Sequence, residues 1–254
     1  MPQQSRISRD LIFVGDAKHG QNVNGPMHEK MHHFHDHFDQ ISVDAANWTM
    51  TIPDSNDSIA ISAGVGGLVL LTGGDADDDS IMLGSQLIFE AAKNCICEAK
   101  IKVDTIADTA CFFGFADAIA YSNNAMAIAY DGNSQTHGAT NAVGFLLDVD
   151  ATTLGGDEWL CVAEYGSEAT AFSSGVTAAD GTWVTLRIEL DGSTTYATAS
   201  FYINDVHVGG FIGSSSAGAV TSTTDLCVGL HAENRGVANC TVYADYIDCW
   251  QDEN

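Results

Sequence analysis

Positive charge is what this sequence has least of. Nine Lys and Arg stand against 34 Asp and Glu, for a formal net charge of −25. So few cations cannot neutralise a run of phosphates, which excludes nucleic acid and anionic lipid surfaces as partners. The balance suits a highly soluble surface, a cationic partner or bound divalent cations. Apolar runs long enough for a membrane-spanning helix, roughly 18 residues, are also missing. Proline is scarce at three residues, and no stretch carries several turns of 3.6-residue apolar spacing, so helices are not expected.

Cysteine is present but in no metal-binding or disulfide pattern. The seven are Cys95, Cys97, Cys111, Cys161, Cys227, Cys240 and Cys249. Cys95-Ile96-Cys97 puts two thiols on one face of a strand and lacks the second pair of a zinc site. Most of the others lie in apolar runs, as buried free thiols do. That implies assembly in a reducing cytoplasm. The start of the chain, Met1 to Arg6, leads only into the brief apolar run Leu11 to Val14, shorter than a secretory signal requires.

What the sequence does have is Gly, Thr, Ser, Val and Ile arranged as strands and turns. Strand signals run regularly from Ile41. They include Asn47–Ile52, Ser58–Ser62, Leu68–Thr72, Ile81–Leu83 and Leu87–Glu90. Cys95–Asp104 sets Cys97, Ala99, Ile101 and Val103 against Glu98, Lys100 and Lys102, one face apolar and the other mixed. Ala110–Ala116 is almost wholly apolar and is expected at the centre, buried on both faces. Ala125–Tyr130, Ala142–Val149 and Glu158–Glu164 follow. Asp191-Gly192-Ser193 and Asn204-Asp205 turn Trp183–Leu190, Thr195–Ile203 and Val206–Ile212 into an antiparallel meander. Leu226–His231 and Val237–Trp250 complete roughly thirteen to fifteen strands, too many for one sheet and enough for two packed face to face. Residues 1–40 read as an N-terminal arm and 41–254 as the sandwich.

Several segments carry a resemblance. Gly181-Thr182-Trp183-Val184-Thr185-Leu186-Arg187-Ile188-Glu189-Leu190-Asp191-Gly192, followed by Phe201-Tyr202-Ile203-Asn204-Asp205, resembles the back-sheet pattern of concanavalin A-like lectin/glucanase sandwiches. Phe89-Glu90, Cys97 to Val103 and Phe112-Phe113-Gly114-Phe115-Ala116-Asp117 look like the matching strands, and Tyr243 to Ile247 like the last one. The resemblance spans about residues 41–250. It implies an all-β fold, a two-sheet antiparallel jelly roll, and it marks function far less than fold. The whole pattern is also similar to jelly-roll decoration or cement proteins of tailed-phage heads. That similarity implies a virion protein on the capsid surface, bound to the major capsid protein and homo-oligomeric, with a trimer favoured. Leu11, Ile12, Phe13 and Val14 would anchor the arm on its partner. A carbohydrate-binding lectin-like module of a phage tail or host-recognition protein is the alternative.

A glycosidase needs a close pair of carboxylates, and the acidic run E-x-D-x-x-E expected on one strand is absent. Glu90, Glu98, Glu158, Glu164 and Glu189 are each isolated. No Gly-x-Ser-x-Gly elbow or ordered triad occurs, so a non-catalytic protein is expected. The sharpest local anomaly is a histidine cluster, His28, His32, His33, His35 and His37. In a helix, His28 and His32, or His33 and His37, would face one metal such as Zn²⁺. In an extended chain, His33, His35 and His37 share a face. The plainer account is a polar arm packed at an interface. The acidic loop Gly73 to Ser80, with Asp75, Asp77, Asp78 and Asp79, has the oxygen ligands Ca²⁺ prefers without EF-hand spacing. A solvated turn explains it as simply. Trp159, Tyr165, Tyr121 and Tyr130 lie near loops where a sugar could stack, although such rings commonly fill sandwich cores.

Overall fold

The computed structural model describes residues 31–62, 67–121, 125–166, 168–212, 220–236 and 238–252. The proposed anchor Leu11, Ile12, Phe13 and Val14, and His28, lie outside the described residues. The first strands are β1 (Met31–Asp36), β2 (Trp48–Thr51), β3 (Ser58–Ser62), β4 (Leu68–Thr72), β5 (Ser80–Ser85) and β6 (Phe89–Glu90). The middle of the chain supplies β7 (Ile96–Val103), β8 (Thr109–Ala116), β9 (Ile128–Asp131), β10 (Ser134–His137), β11 (Asn141–Asp148) and β12 (Glu158–Tyr165). The rest forms β13 (Glu168–Thr177), β14 (Val184–Asp191), β15 (Thr198–Ile203), β16 (Val206–Phe211), β17 (Asp225–Asn234) and β18 (Thr241–Asp252). No helix among the described residues is long and apolar enough to cross a membrane.

Two eight-stranded antiparallel sheets pack face to face, as the alternation implied. The back sheet runs β16-β15-β14-β7-β18-β4-β3, with β1 also on β18. The front sheet runs β13-β12-β11-β8-β17-β5-β2, with β6 also on β17. Inward residues of β7 (Cys97, Ala99, Ile101, Val103) meet those of β8 (Cys111, Phe113, Phe115) and β11 (Val143, Phe145, Leu147) in one core. Phe145 and Phe201 meet edge to face across it, ring centres 5.2 Å apart. Each such large apolar side chain contributes about 1.5–3 kcal/mol when fully buried. The meander β14-β15-β16 closes through Asn204 and Asp205, both at positive φ (49° and 64°), the backbone a two-residue hairpin turn requires.

Strand β8 is buried on both faces, as its composition implied, and the reason is a lid. The hairpin β9–β10 lies over the outer face of the front sheet. Ala110, Phe112 and Ala116 of β8 join Met126, Ile128, Tyr130, Ala142, Leu146, Leu160 and Val162 there in a second apolar cluster. Beneath it four glycines stand side by side, Gly144 opposite Gly114, Gly114 opposite Gly229, and Gly229 opposite Gly84. The missing side chains leave a trough across four strands. It is filled by Phe112, His231, Met82 and the backbone of Ile119, which crowd the positions a Cβ would occupy.

The helical alternative for residues 28–37 is corrected. Met31–Asp36 is strand, paired antiparallel with β18 so that His35 faces Asp248 and His33 faces Trp250. The alternation of the segment suits a strand once a partner edge exists. Phe34 turns inward onto Trp48, ring centres 5.0 Å apart, while His33, His35 and His37 turn outward. Buried Asp36 then fixes the turn that follows, accepting hydrogen bonds from Trp48 Nε1 (2.7 Å), the Phe38 amide (2.7 Å) and Gln40 Nε2 (3.1 Å). The described part of the arm is therefore built into the sandwich, and Phe38 is part of its core.

Candidate functional site

Beside the hairpin lid, at the end of β17, the outer face of the front sheet opens into a cleft of ≈ 260 Å³. Asp78, Tyr130, Asp131, His137, Glu233 and Arg235 are among the residues that line it. The pleat places the chemistry. Glu233 on β17 and Asp148 on β11 both stand opposite Ala110 of the intervening β8, so their carboxyls approach one another over a small residue. Arg235 extends between them. Its Nη2 donates to Asp148 Oδ2 at 2.9 Å and its Nε to Asp148 Oδ1 at 3.2 Å. Its Nη1 meets Glu233 Oε1 at 2.6 Å and Asp78 Oδ1 at 2.5 Å. Nη2 also donates to the Tyr130 carbonyl at 2.8 Å, which ties the lid to the site.

One cation thus serves two buried carboxyls and a third at the rim. Asp148, with no exposed surface, also accepts the amides of Tyr130 (2.8 Å) and Asp150 (3.1 Å). Burial raises its pKa, and Arg235 and these donors oppose the rise. Four N–H donors favour the carboxylate at neutral pH. Burial, aided by Asp148, Asp78 and Asp77, pushes Glu233 up to about 8 against the pull of Arg235. Glu233 is therefore the member that keeps its proton. Burial works against the charge on Arg235, but Asp148, Glu233 and Asp150 outweigh it and hold the guanidinium above its usual range. Below the lid, His231 is wholly buried, and burial drives it down to about 3. The Ala127 amide donates to its Nδ1 at 3.2 Å, which assigns the ring proton to Nε2.

Sequence reasoning missed Asp148, Glu233 and Arg235 because it sought acidic residues spaced along one strand. The structure assembles them from β11, from β17 and from the residue just after it, and Asp78 joins from the loop before β5. The available signal was an arginine in so cation-poor a chain, set within Glu233-Asn234-Arg235 at the end of an apolar strand. Of the aromatic candidates, Tyr130 reaches the cleft, Tyr121 packs edge-on to His231, Tyr165 packs on Tyr196, and Trp159 is in the core.

The metal candidates separate. Among the described residues His33, His35 and Asp248 form a group whose ligand atoms all lie within 4.8 Å of one another. His37 is next to it, its ring centre 4.1 Å from that of His35. His32 faces the other way, edge-on to Phe89. Asp75, Asp77 and Asp79 are not drawn together in this manner. Asp75 accepts from Asn56 Nδ2, Asp77 is exposed, and Asp79 is buried, its pKa raised by burial and by Asp57, Asp54 and Asp75. Asp78 goes to Arg235.

No family model and no curated protein matches the sequence. Solved structures do match. A protein of unknown function from Shewanella oneidensis MR-1 superposes with a TM-score of 0.57 at 12% identity, covering 100% of this chain and 97% of its own. A glycoside hydrolase family 16 endo-glucanase from Bacteroides ovatus gives 0.56 at 14%, covering 85% and 99%. LamAcat from Zobellia galactanivorans gives 0.58 at 12%, covering 86% and 96%. The likeness to phage decoration proteins finds no support among these neighbours. The expectation of a non-catalytic protein is corrected as well: several neighbours of the same fold are glycoside hydrolases. The chain has the two-sheet antiparallel jelly-roll fold of the concanavalin A-like family 16 glycoside hydrolases.

Proposed function

We propose that the chain is a carbohydrate-active jelly-roll protein that holds a saccharide in the cleft beside the β9–β10 hairpin and cleaves a glycosidic bond there. The observation that carries this reading is the pair Glu233 and Asp78 on one guanidinium nitrogen. Their oxygens consequently fall inside the roughly 5.5 Å at which paired carboxyls work in retaining glycosidases. Their environments differ as the chemistry demands. Buried Glu233 holds a proton near neutral pH, as a general acid must. Asp78 is largely exposed at the rim and is the carboxylate available to the sugar. Tyr130 and His137 also line the cleft. A family 16 endo-glucanase of the same fold supports this reading.

The test is a polysaccharide and glycan-array panel with the full chain and the variants Glu233→Gln and Asp78→Asn. Turnover should fall at least 100-fold in Glu233→Gln while binding survives, since general acid catalysis contributes about 10²–10⁴-fold. Binding without turnover in the unchanged protein would leave a lectin-like module and remove the acid role from Glu233. Neither binding nor turnover on a broad panel would refute the proposal.

A further inference from the structure

On the opposite side of the molecule, the outer face of the back sheet, we infer that His33, His35 and Asp248 form a binding site for one first-row divalent cation of the Zn²⁺ class. The site arises from strand register. His33 and His35 are two residues apart on β1 and project to the same side, and His35 stands directly across from Asp248 of β18. His33 Nε2 lies 2.5 Å and His35 Nδ1 3.4 Å from Asp248 Oδ1. Around a tetrahedral Zn²⁺ with ligands at about 2.1 Å, donor atoms are separated by about 3.4 Å. The three atoms here are already within 4.8 Å, so small side-chain rotations admit an ion.

Two imidazoles and one carboxylate match the donor preference of Zn²⁺ and its neighbours, not of Ca²⁺ or Mg²⁺. Three protein ligands leave a fourth position for water or for His37, which packs against His35. All three side chains reach solvent, His33 most, so the ion has an entry path. Its effect would be mechanical. β1 is held to the body along one edge of β18, and a cation shared by β1 and β18 staples residues 31–36 to the sandwich.

Equilibrium dialysis of the EDTA-stripped full chain against ZnCl₂ at pH 7.5 tests this. One Zn²⁺ per chain is expected at micromolar free metal, with at least a 30-fold loss of affinity in H33A/H35A and in D248A. His207→Ala, on β16, should bind as the unchanged protein does. As a measurement on the unchanged chain, Zn²⁺ should protect His33 and His35, but not His207, from diethylpyrocarbonate, read by peptide mass spectrometry. Absence of binding at 100 μM ZnCl₂, unaltered affinity in H33A/H35A, or modification of His33 and His35 at the same rate with and without Zn²⁺ would each overturn the assignment.

Discussion

Acid should loosen this protein from beneath its lid, and His231 sets the scale. The ring is wholly buried against Phe112 and Tyr121, and burial holds its pKa at about 3 instead of the ordinary 6.5. A group depressed in the folded state stabilises above its unfolded pKa and loses that contribution as pH falls toward the folded one. Here the loss begins near pH 6.5. At 1.36 kcal/mol per unit it amounts to about 2 kcal/mol at pH 5 and about 4 kcal/mol at pH 3. That is a large fraction of the 5–15 kcal/mol typical of a folded domain. The substitution His231→Asn offers an amide oxygen to the Ala127 N–H and removes the titration. It should cost about 1–2 kcal/mol at pH 7.5 through lost packing. In urea unfolding across pH 4–8, the gap between the two proteins should close by about 2 kcal/mol between pH 7.5 and 5 and reverse sign below that. Parallel curves over the whole range would show that His231 takes a proton without penalty, and the reasoning would be wrong.

Other consequences follow from the same face. Glu233 is the mirror case: raised to about 8, it stabilises below about pH 4.5, and that contribution drains away as pH climbs to 8. Glu233→Gln should therefore gain on the unchanged protein between pH 6 and 9 in thermal melts, and a constant offset would refute the shift. Replacing Arg235 by Met strands the fully buried Asp148 carboxylate and should cost about 3–5 kcal/mol at pH 7. Part of that loss should return as pH falls, because without Arg235 burial raises the Asp148 pKa with less opposition; circular dichroism melts at neutral and acid pH measure both effects. Gly114→Ala sets a Cβ 2.3 Å from the Val143 carbonyl oxygen in the middle of the front sheet. It should cost about 1–3 kcal/mol or more in urea titrations, whereas Gly132→Ala, at a hairpin tip with nothing within 4 Å but φ +58°, should cost about 1 kcal/mol.

How much of this was legible depends on where each signal resides. Period-two alternation reports which side of a strand is inside, so β3 and β4 emerge at their observed limits and β7 and β14 nearly so. The strands that escaped notice, β10 (Ser134–His137) and β13 (Glu168–Thr177), are polar or rich in Ala and Ser, and their pairing depends on neighbours instead of on their own pattern. For β1 helix and extended chain both stood open, because Met27, Met31 and Phe34 fall at helical spacing while His33, His35 and His37 alternate; the edge of β18 decides for the strand, and no local pattern encodes that edge. The carboxylate site was hidden for a related reason. Asp148 and Glu233 are far apart in the chain and meet only because β11 and β17 flank β8. Register supplies what spacing along the chain cannot.

The row of glycines under the lid bears on what kind of substrate such a face can accept. A furrow running straight across a sheet would let a long polymer lie through it and be cut anywhere along its length. In this molecule the furrow is stoppered by the chain's own Phe112, Met82 and His231 and by the backbone at Ile119, and the cleft by Arg235 lies at its margin. On the reading proposed above, a sugar chain would meet the protein at that margin and not lie across the sheet.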